Sequence, residues 1–391
     1  MGIFFKPKKK EELTLVFDIG SSSVGGALFY VQKSGIPKII FSIREPIVFE
    51  EEINFDRLLS STMKTLGIVA NKISTVGLGA PKKIFCVLSS PWYASQTRTI
   101  KFRKNAPFLF TSKLADSLIQ KEINIFEKEY LAKYMHLENS IRPIELKNMK
   151  TTLNGYASLE PMNKKAKELE MDVFISISPE ELLGKIENTI SQYFHCKNIE
   201  FSSFTMASFV VARDMFVRQD NFLLVDIGGE ITDISMVKKD ILYESISFPL
   251  GRNFMIRGAA NLLNCSLDEA KSFISIYKDR HASESINKKL KPIINKLKTE
   301  WLKKFQESLF NLSNNISIPS VVFVTVDQDL ADFFTEIIKT EQFNQYMLTE
   351  MKFKVIFLGM QMLHDIAVFR KNTARDPFLI IESVYINRFF S

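Results

Sequence analysis

The chain is predicted to be an α/β protein of two similar domains facing one cleft, with a small α+β unit inserted into the first. Three observations predict this. An apolar run, an Asp-Ile-Gly turn and a second alternating run occur at Leu13–Phe29 and again at Leu223–Val237. Each copy leads a strand meander followed by helices. Between them, residues 82–178 change texture and read as a unit with its own strands and helix.

In the first copy, Leu13-Thr14-Leu15-Val16-Phe17 runs into Asp18-Ile19-Gly20, and Ser21-Ser22-Ser23 turns the chain back into Val24–Phe29. Two such runs around a glycine turn read as a β-hairpin. Ile36 to Phe49 adds a third strand. From Phe55 to Ala70, Phe55, Leu58, Leu59, Met63, Leu66 and Ile68 fall near one face of a helix. Ile84 to Leu88 is a short buried strand closed by Ser89-Ser90-Pro91. Residues 13–81 and 179–217 are therefore expected to form the first domain, after a basic, apolar-tipped tail at 1–12.

Within 82–178, Thr97 to Lys101 reads as a strand and Thr111 to Tyr134 as a helix capped by Thr111 or Ser112. Ile141 to Leu146 and Met149 to Leu153 read as two strands around Lys147-Asn148, and Asn154-Gly155 marks a turn. A lysine-rich loop from Met162 to Glu170 leads into a strand over Met171–Ile177. Ser178-Pro179-Glu180-Glu181 predicts a helix start, with serine as cap, proline at the first helical position and Glu181 closing a capping box. That helix runs to about Phe194. A strand at Ile199–Phe201 and a helix at Met206–Phe216 complete the first domain.

The second hairpin and a strand over Ile241–Ser247 repeat the meander. Residues 218–250 and 320–391 are expected as the second domain, with 251–319 as its helical subdomain. Helices are predicted at Leu267–Tyr277 and Ile286–Leu312, the latter with Leu290, Ile294, Leu297, Trp301 and Phe305 on one face. Ser320–Val326 is a buried strand, Leu330–Lys339 a helix and Val355–Leu358 a strand. A helix over Gln361–Phe369 and an apolar strand over Phe378–Phe390 end the prediction.

At 391 residues the chain exceeds one simple core. Cys86, Cys196 and Cys265 are too few and too far apart for a disulfide framework or a cysteine zinc site, which points to a reducing cytoplasm. A net charge of +7 with lysines off the apolar helix faces describes solvated surfaces better than a nucleic-acid patch. No run reaches the ~18 apolar residues of a membrane span. The start, Ile3-Phe4-Phe5 followed by lysines, is expected to touch an anionic membrane surface peripherally.

The repeated turn carries the chemistry. Glycines at Gly20, Gly228 and Gly229 let backbone N–H groups converge on an anion, and the hydroxyls of Ser21, Ser22, Ser23 and Thr232 add donors. An aspartate at each turn, Asp18 and Asp226, can hold hydrated Mg²⁺ beside phosphates. Two such domains face to face put both turns at the floor of one cleft, each cradling part of a polyphosphate.

This pair of turns resembles the first and second phosphate motifs of the actin/Hsp70/sugar-kinase superfamily. The inserted unit after the first meander, and Ser203-Phe204-Thr205-Met206-Ala207-Ser208 before the second hairpin, look like the FtsA/PilM family of bacterial actin-like proteins. The string Asp18-Ile19-Gly20-Ser21-Ser22-Ser23-Val24 is closer to the pilus side, PilM. The resemblance implies the two-domain actin-like (ribonuclease H-like, duplicated) ATPase fold, with a small inserted α+β subdomain that serves polymer or partner contacts. It implies ATP and Mg²⁺ as ligands of Asp18, Gly20, Ser21, Ser22, Ser23, Asp226, Gly228, Gly229, Thr232 and Gly251.

The departures sit on the nucleoside side. Gly251-Arg252 stands where the family has two glycines, Lys271 and Ile274 where it has Glu and Lys, and Val324-Thr325-Val326-Asp327-Gln328-Asp329 where it has a glycine loop. These predict either an altered ATP pose or a relic cleft in a scaffold. The leading expectation is a PilM-like scaffold at the inner face of the bacterial membrane, docking the tail of an inner-membrane partner in type IV pilus assembly. The alternative is an FtsA-like cell-division ATPase that polymerises with its own copies at the membrane. Glu230 follows the second turn but is not assigned as a hydrolytic base.

Overall fold

A computed structural model describes residues 12–48, 50–133, 140–195, 198–278, 283–313, 317–340 and 352–390. The expected membrane contact at Ile3, Phe4 and Phe5 lies outside these residues, as do Phe49, Tyr134 and Cys196. In the first half, β1 (Leu13–Ile19), β2 (Ser23–Tyr30) and β3 (Lys38–Pro46) form the predicted antiparallel meander. After α1 (Phe55–Thr75), β4 (Lys83–Leu88) returns parallel to β1. Asn54 caps α1, its side chain accepting from the Arg57 N–H at 3.0 Å.

The insert begins later than expected, because β4 belongs to the main sheet. Its own four-stranded sheet has β5 (Ala94–Leu109), β6 (Ile141–Leu153), β7 (Tyr156–Ala157) and β8 (Lys165–Pro179) in the order β5-β8-β6-β7, with α2 (Ser112–Lys133) alongside. Thr111 caps α2 through Leu114 N–H. The two strands expected at Ile141–Leu146 and Met149–Leu153 are one strand, β6, with register shifts at Pro143/Glu145 and Asn148/Lys150. Those shifts absorb the polar pair Lys147-Asn148 without ending the ladder. Asn154 and Gly155 turn it with φ of 52° and 84°.

At α3 (Glu180–Ser191) the predicted serine cap is corrected. Ser178 still belongs to β8, and its hydroxyl donates to the Trp92 carbonyl at 2.8 Å. Pro179 takes the cap position and makes no side-chain bond there. β9 (Ile199–Ser203) then pairs with β4, and Ser203 caps α4 (Phe204–Met215).

The second half repeats the plan. β10 (Phe222–Ile227), β11 (Thr232–Lys238) and β12 (Ile241–Phe248) form a meander. Helices α5 (Arg252–Leu263), α6 (Leu267–Lys278) and α7 (Glu284–Ser313) follow. β13 (Val321–Val326), α8 (Ala331–Thr340) and β14 (Lys354–Phe357) complete a five-stranded sheet, β12-β11-β10-β13-β14. The first sheet reads β3-β2-β1-β4-β9 in the same positions, with one extra edge strand. The duplication is thus present strand for strand.

Two expectations about the end of the described chain are corrected. Gln361–Phe369 is not one helix: α9 (Met360–Leu363) stops, and β15 (Val368–Phe369) pairs parallel with β3 as that extra strand. Phe378–Phe390 is not a strand but lies in α10 (Pro377–Phe390). Both β15 and α10 belong with the first sheet, although residues 320–391 were expected in the second domain. Helix α10 is apolar nearly all round because it is buried nearly all round. Leu379, Ile380, Ile381, Tyr385 and Ile386 share one core with α4 and the inner faces of both sheets. Outside that layer, α1 and α3 cover the first sheet, and α5 to α8 cover the second.

Candidate functional site at two apposed hairpins

Both turns close identically. Gly20 N–H donates to the Ser23 carbonyl at 3.2 Å, and Gly228 N–H donates to the Ile231 carbonyl at 2.9 Å. Asp18 and Asp226 end equivalent strands, β1 and β10, one residue pair before each turn. Sequence reasoning placed these motifs opposite one another, and the structure brings them into direct contact.

On the first hairpin, register explains the electrostatics. Asp18 pairs with Gly25, and Gly25 pairs with Arg44, so the three lie in one line across β1, β2 and β3. A Cβ on Gly25 would stand 2.8 Å from Arg44 Nη2; its absence lets the guanidinium cross the middle strand. There Arg44 donates to Asp18 at 2.6 Å, to Ser23 Oγ at 2.8 Å, and to Asp376 just before α10. Glu382 of α10 is fully buried, and neither of its oxygens meets a donor among the described residues. Burial, with the Asp18 charge beside it, pushes Glu382 well above the usual carboxylate range. Burial also raises Asp18, against the pull of Arg44.

The second hairpin is pinned by the start of α5. Gly251, Arg252 and Asn253 N–H groups donate to the carbonyls of Glu230, Gly228 and Gly229 at 3.0, 2.9 and 2.9 Å. The helix N-terminus that could have received an anion therefore receives the hairpin's own backbone. Thr232 is fully buried, its hydroxyl donating to the Leu250 carbonyl at 2.8 Å while Trp301 Nε1 donates to Thr232 at 3.3 Å. Glu230 points inward rather than to solvent. Arg257 holds it with two bonds of 2.6 and 2.8 Å, and Asn253 adds a third at 2.8 Å.

Between the hairpins there is no gap. Ser21 Oγ accepts from Glu230 N–H at 3.1 Å, and a Cβ on Gly229 would lie 2.7 Å from Ser21 C and Ser22 N. Ser22 Oγ donates to Asp327, the first residue after β13, and Arg252 bridges Asp327 and Asp329.

Neither a family model nor a curated protein matches the chain. Among solved structures it is similar to a chain of a PilM-PilN type IV pilus biogenesis complex, with a TM-score of 0.56 and 14% identity over 96% of each chain. The fold is actin-like, of the PilM/FtsA type. The chain is also similar to the ethanolamine utilization protein EutJ from Carboxydothermus hydrogenoformans (TM-score 0.42, 12% identity, 96% of this chain and 89% of that one). A Bacteroides thetaiotaomicron protein with an actin-like ATPase fold and unknown function gives a TM-score of 0.40 at 9% identity, over 98% and 99% of the two chains.

An actin-like cleft takes ATP and Mg²⁺, and the residues here do not fit that group. Asp18 and Ser23, expected on Mg²⁺ and phosphate, face the Arg44 cation instead. Asp226 accepts from Thr325 Oγ1 at 2.7 Å. Ser21, Ser22, Gly228, Gly229, Thr232 and Gly251 each bond or pack within the protein, and the Gly20 carbonyl accepts from Trp92 Nε1 at 2.8 Å. Among the described residues no cluster of three or more His, Cys, Asp or Glu side chains offers a metal cage. On the nucleoside side, Ile274 lines a groove of ≈ 690 Å³ with Tyr277, Leu330 and Phe333, while Lys271 is exposed.

Asp226 and Asp233 face each other across β10 and β11. Burial, reinforced by the Asp233 charge, pushes Asp226 well above the usual carboxylate range. The folded chain therefore holds this proton more tightly than the unfolded one. The stabilisation is complete below the unfolded value near ~3.9 and is lost as pH rises through the folded value. Asp226→Asn keeps an acceptor for Thr325 and is expected to flatten that decline, raising stability at neutral pH relative to the parent. Urea unfolding at a series of pH values reads the slope, and an unchanged slope refutes the assignment.

Proposed function

We propose that the protein is an actin-like scaffold resembling PilM, which docks the tail of an inner-membrane partner in a type IV pilus assembly, at the cytoplasmic face of the membrane. Its cleft acts as a structural joint rather than a nucleotide site. The observation that carries this reading is the seating of Gly229 on the Ser21–Ser22 peptide, with arginines in place of the metal and of the family's glycines. A likeness spanning 96% of a PilM chain, insert included, supports the scaffold role. No helix among the described residues is long and apolar enough to cross a membrane, consistent with action through a partner that does.

Calorimetry with ATP and Mg²⁺ tests the cleft: no heat is expected up to millimolar nucleotide, for the parent and for Asp18→Ala alike. Micromolar binding abolished by Asp18→Ala overturns the joint. Crosslinking in membranes tests the scaffold, with capture of a single-span protein through its cytoplasmic tail expected. Recovery of soluble metabolic enzymes alone overturns it.

A further inference from the structure

We propose that the far end of the insert is a membrane-seating tip for anionic lipid. Strand β8 runs 15 residues from Lys165 at that end to Pro179 beside the main body, a span of about 50 Å. The tip is well tied down. Phe110 N–H donates to the Lys164 carbonyl at 2.9 Å, Asn163 N–H to the Phe110 carbonyl at 2.7 Å, and Ser158 N–H to the Thr151 carbonyl at 2.9 Å. Asn154 Oδ1 accepts from the Lys167 and Glu168 N–H groups at 2.8 and 3.2 Å.

On this rigid end stand apolar side chains that folding leaves in water. Leu159 is fully exposed, Tyr156 of β7 is 80% exposed and Met162 49% exposed, all within residues 156–162. Scattered exposed leucines need no explanation, but three large apolar groups on one ordered tip do. Behind them are lysines. Lys165 and Lys167 flank Ala166, which is buried against the α2 side, so both stand on the outward face of β8. Lys104, in the bulged segment of β5, lies at the same end, over the Phe102 ring. None of these three has a carboxylate partner among the described residues.

Apolar groups at the apex with ammonium groups on the strands behind them match the order of acyl boundary and headgroups in a bilayer. Leucine enters the acyl boundary, tyrosine sits at headgroup level, and lysines reach anionic phosphates along flexible stems. Each such lysine strengthens binding about fivefold. A convex tip suits a lipid surface better than a protein, which needs roughly 800 Å² of complementary face. This inference stands independently of the pilus reading, since it requires no protein partner.

The test is flotation of the full chain with vesicles of phosphatidylglycerol and phosphatidylcholine, and with phosphatidylcholine alone. Binding is expected to the anionic vesicles only, weakening as salt is raised. Combining Leu159→Asp with Tyr156→Asp should weaken it at least about tenfold, and Lys165→Gln with Lys167→Gln by about tenfold or more, without changing the melting temperature. Leu159→Trp should add an emission that shifts to the blue on adding vesicles, over a constant background from Trp92 and Trp301, which are fully buried and out of the lipid's reach. The proposal is overturned if the parent ignores anionic vesicles. It also fails if the Leu159→Asp/Tyr156→Asp variant binds equally, which moves the contact to Ile3-Phe4-Phe5. Self-association of the parent that this variant abolishes would make the tip a protein contact, and would overturn it as well.

Discussion

Arg44→Ala is expected to destabilise the protein by about 3–5 kcal/mol, because it strands buried carboxylates whose common counter-charge is this guanidinium. Asp18 loses its bond from Arg44, and Asp376 loses both of its own. Losing one partner of a buried pair costs more than the pair contributes, since the surviving charge remains out of water. The melting temperature should fall by about 5 °C. Arg44→Lys retains the charge without the planar fork and should recover part of the loss. Gly25→Ala should reproduce part of the defect with Arg44 still present, by filling the gap through which it reaches Asp18. A drop below about 1 kcal/mol for Arg44→Ala, measured by urea unfolding, contradicts the assignment of Arg44 as central counter-ion.

Gly251→Ala is expected to cost about 2–4 kcal/mol, from overpacking together with loss of well-formed backbone hydrogen bonds. The added Cβ would lie 2.4 Å from the Gly229 carbonyl oxygen and 2.5 Å from that of Gly228. Those oxygens accept from Asn253 and Arg252, so the start of α5 cannot back away without releasing both. Hydrogen exchange at the Arg252 and Asn253 amides should accelerate before the rest of the second half is affected. Gly184 of α3 is the control. A Cβ there meets nothing within 4 Å, and Gly184→Ala should be neutral or stabilising.

The repeated hairpins were legible because they combine alternation, an acid and a glycine turn at fixed offsets, all of which are local. What the first turn does was not legible, because Arg44 reaches Asp18 across a strand and its third partner, Asp376, lies 332 positions away. A single arginine closing the apolar run Ile39-Ile40-Phe41-Ser42-Ile43 was the available signal. Helix α10 reads as a strand for a physical reason. Periodicity reports the contrast between a wet face and a dry one, and a helix buried all round has no such contrast. Its lone acid, Glu382, was the hint that the run ends beside another charge. The absent nucleoside motifs were visible in sequence, but that Asp327 and Arg252 close the cleft follows only from their pairing. Ser178 failed as a cap because the strand before it extends two residues further than turn chemistry suggests, to Pro179.

Helix α10 has a consequence for how the protein is made. During synthesis β1 to β4 precede the second sheet, yet α10, which covers the inner faces of β1 and β2, follows it. At roughly 5–20 residues per second, the interval between Arg44 and Asp376 is on the order of tens of seconds. Throughout it, the inner faces of β1 and β2 lack the Leu379, Ile380 and Tyr385 side chains that dry them, and Arg44 lacks one of its acids. The second half can close around α5 to α8 while the first is still waiting. The first sheet thus waits for a helix made after the second sheet, and a holding chaperone has its natural place in that delay.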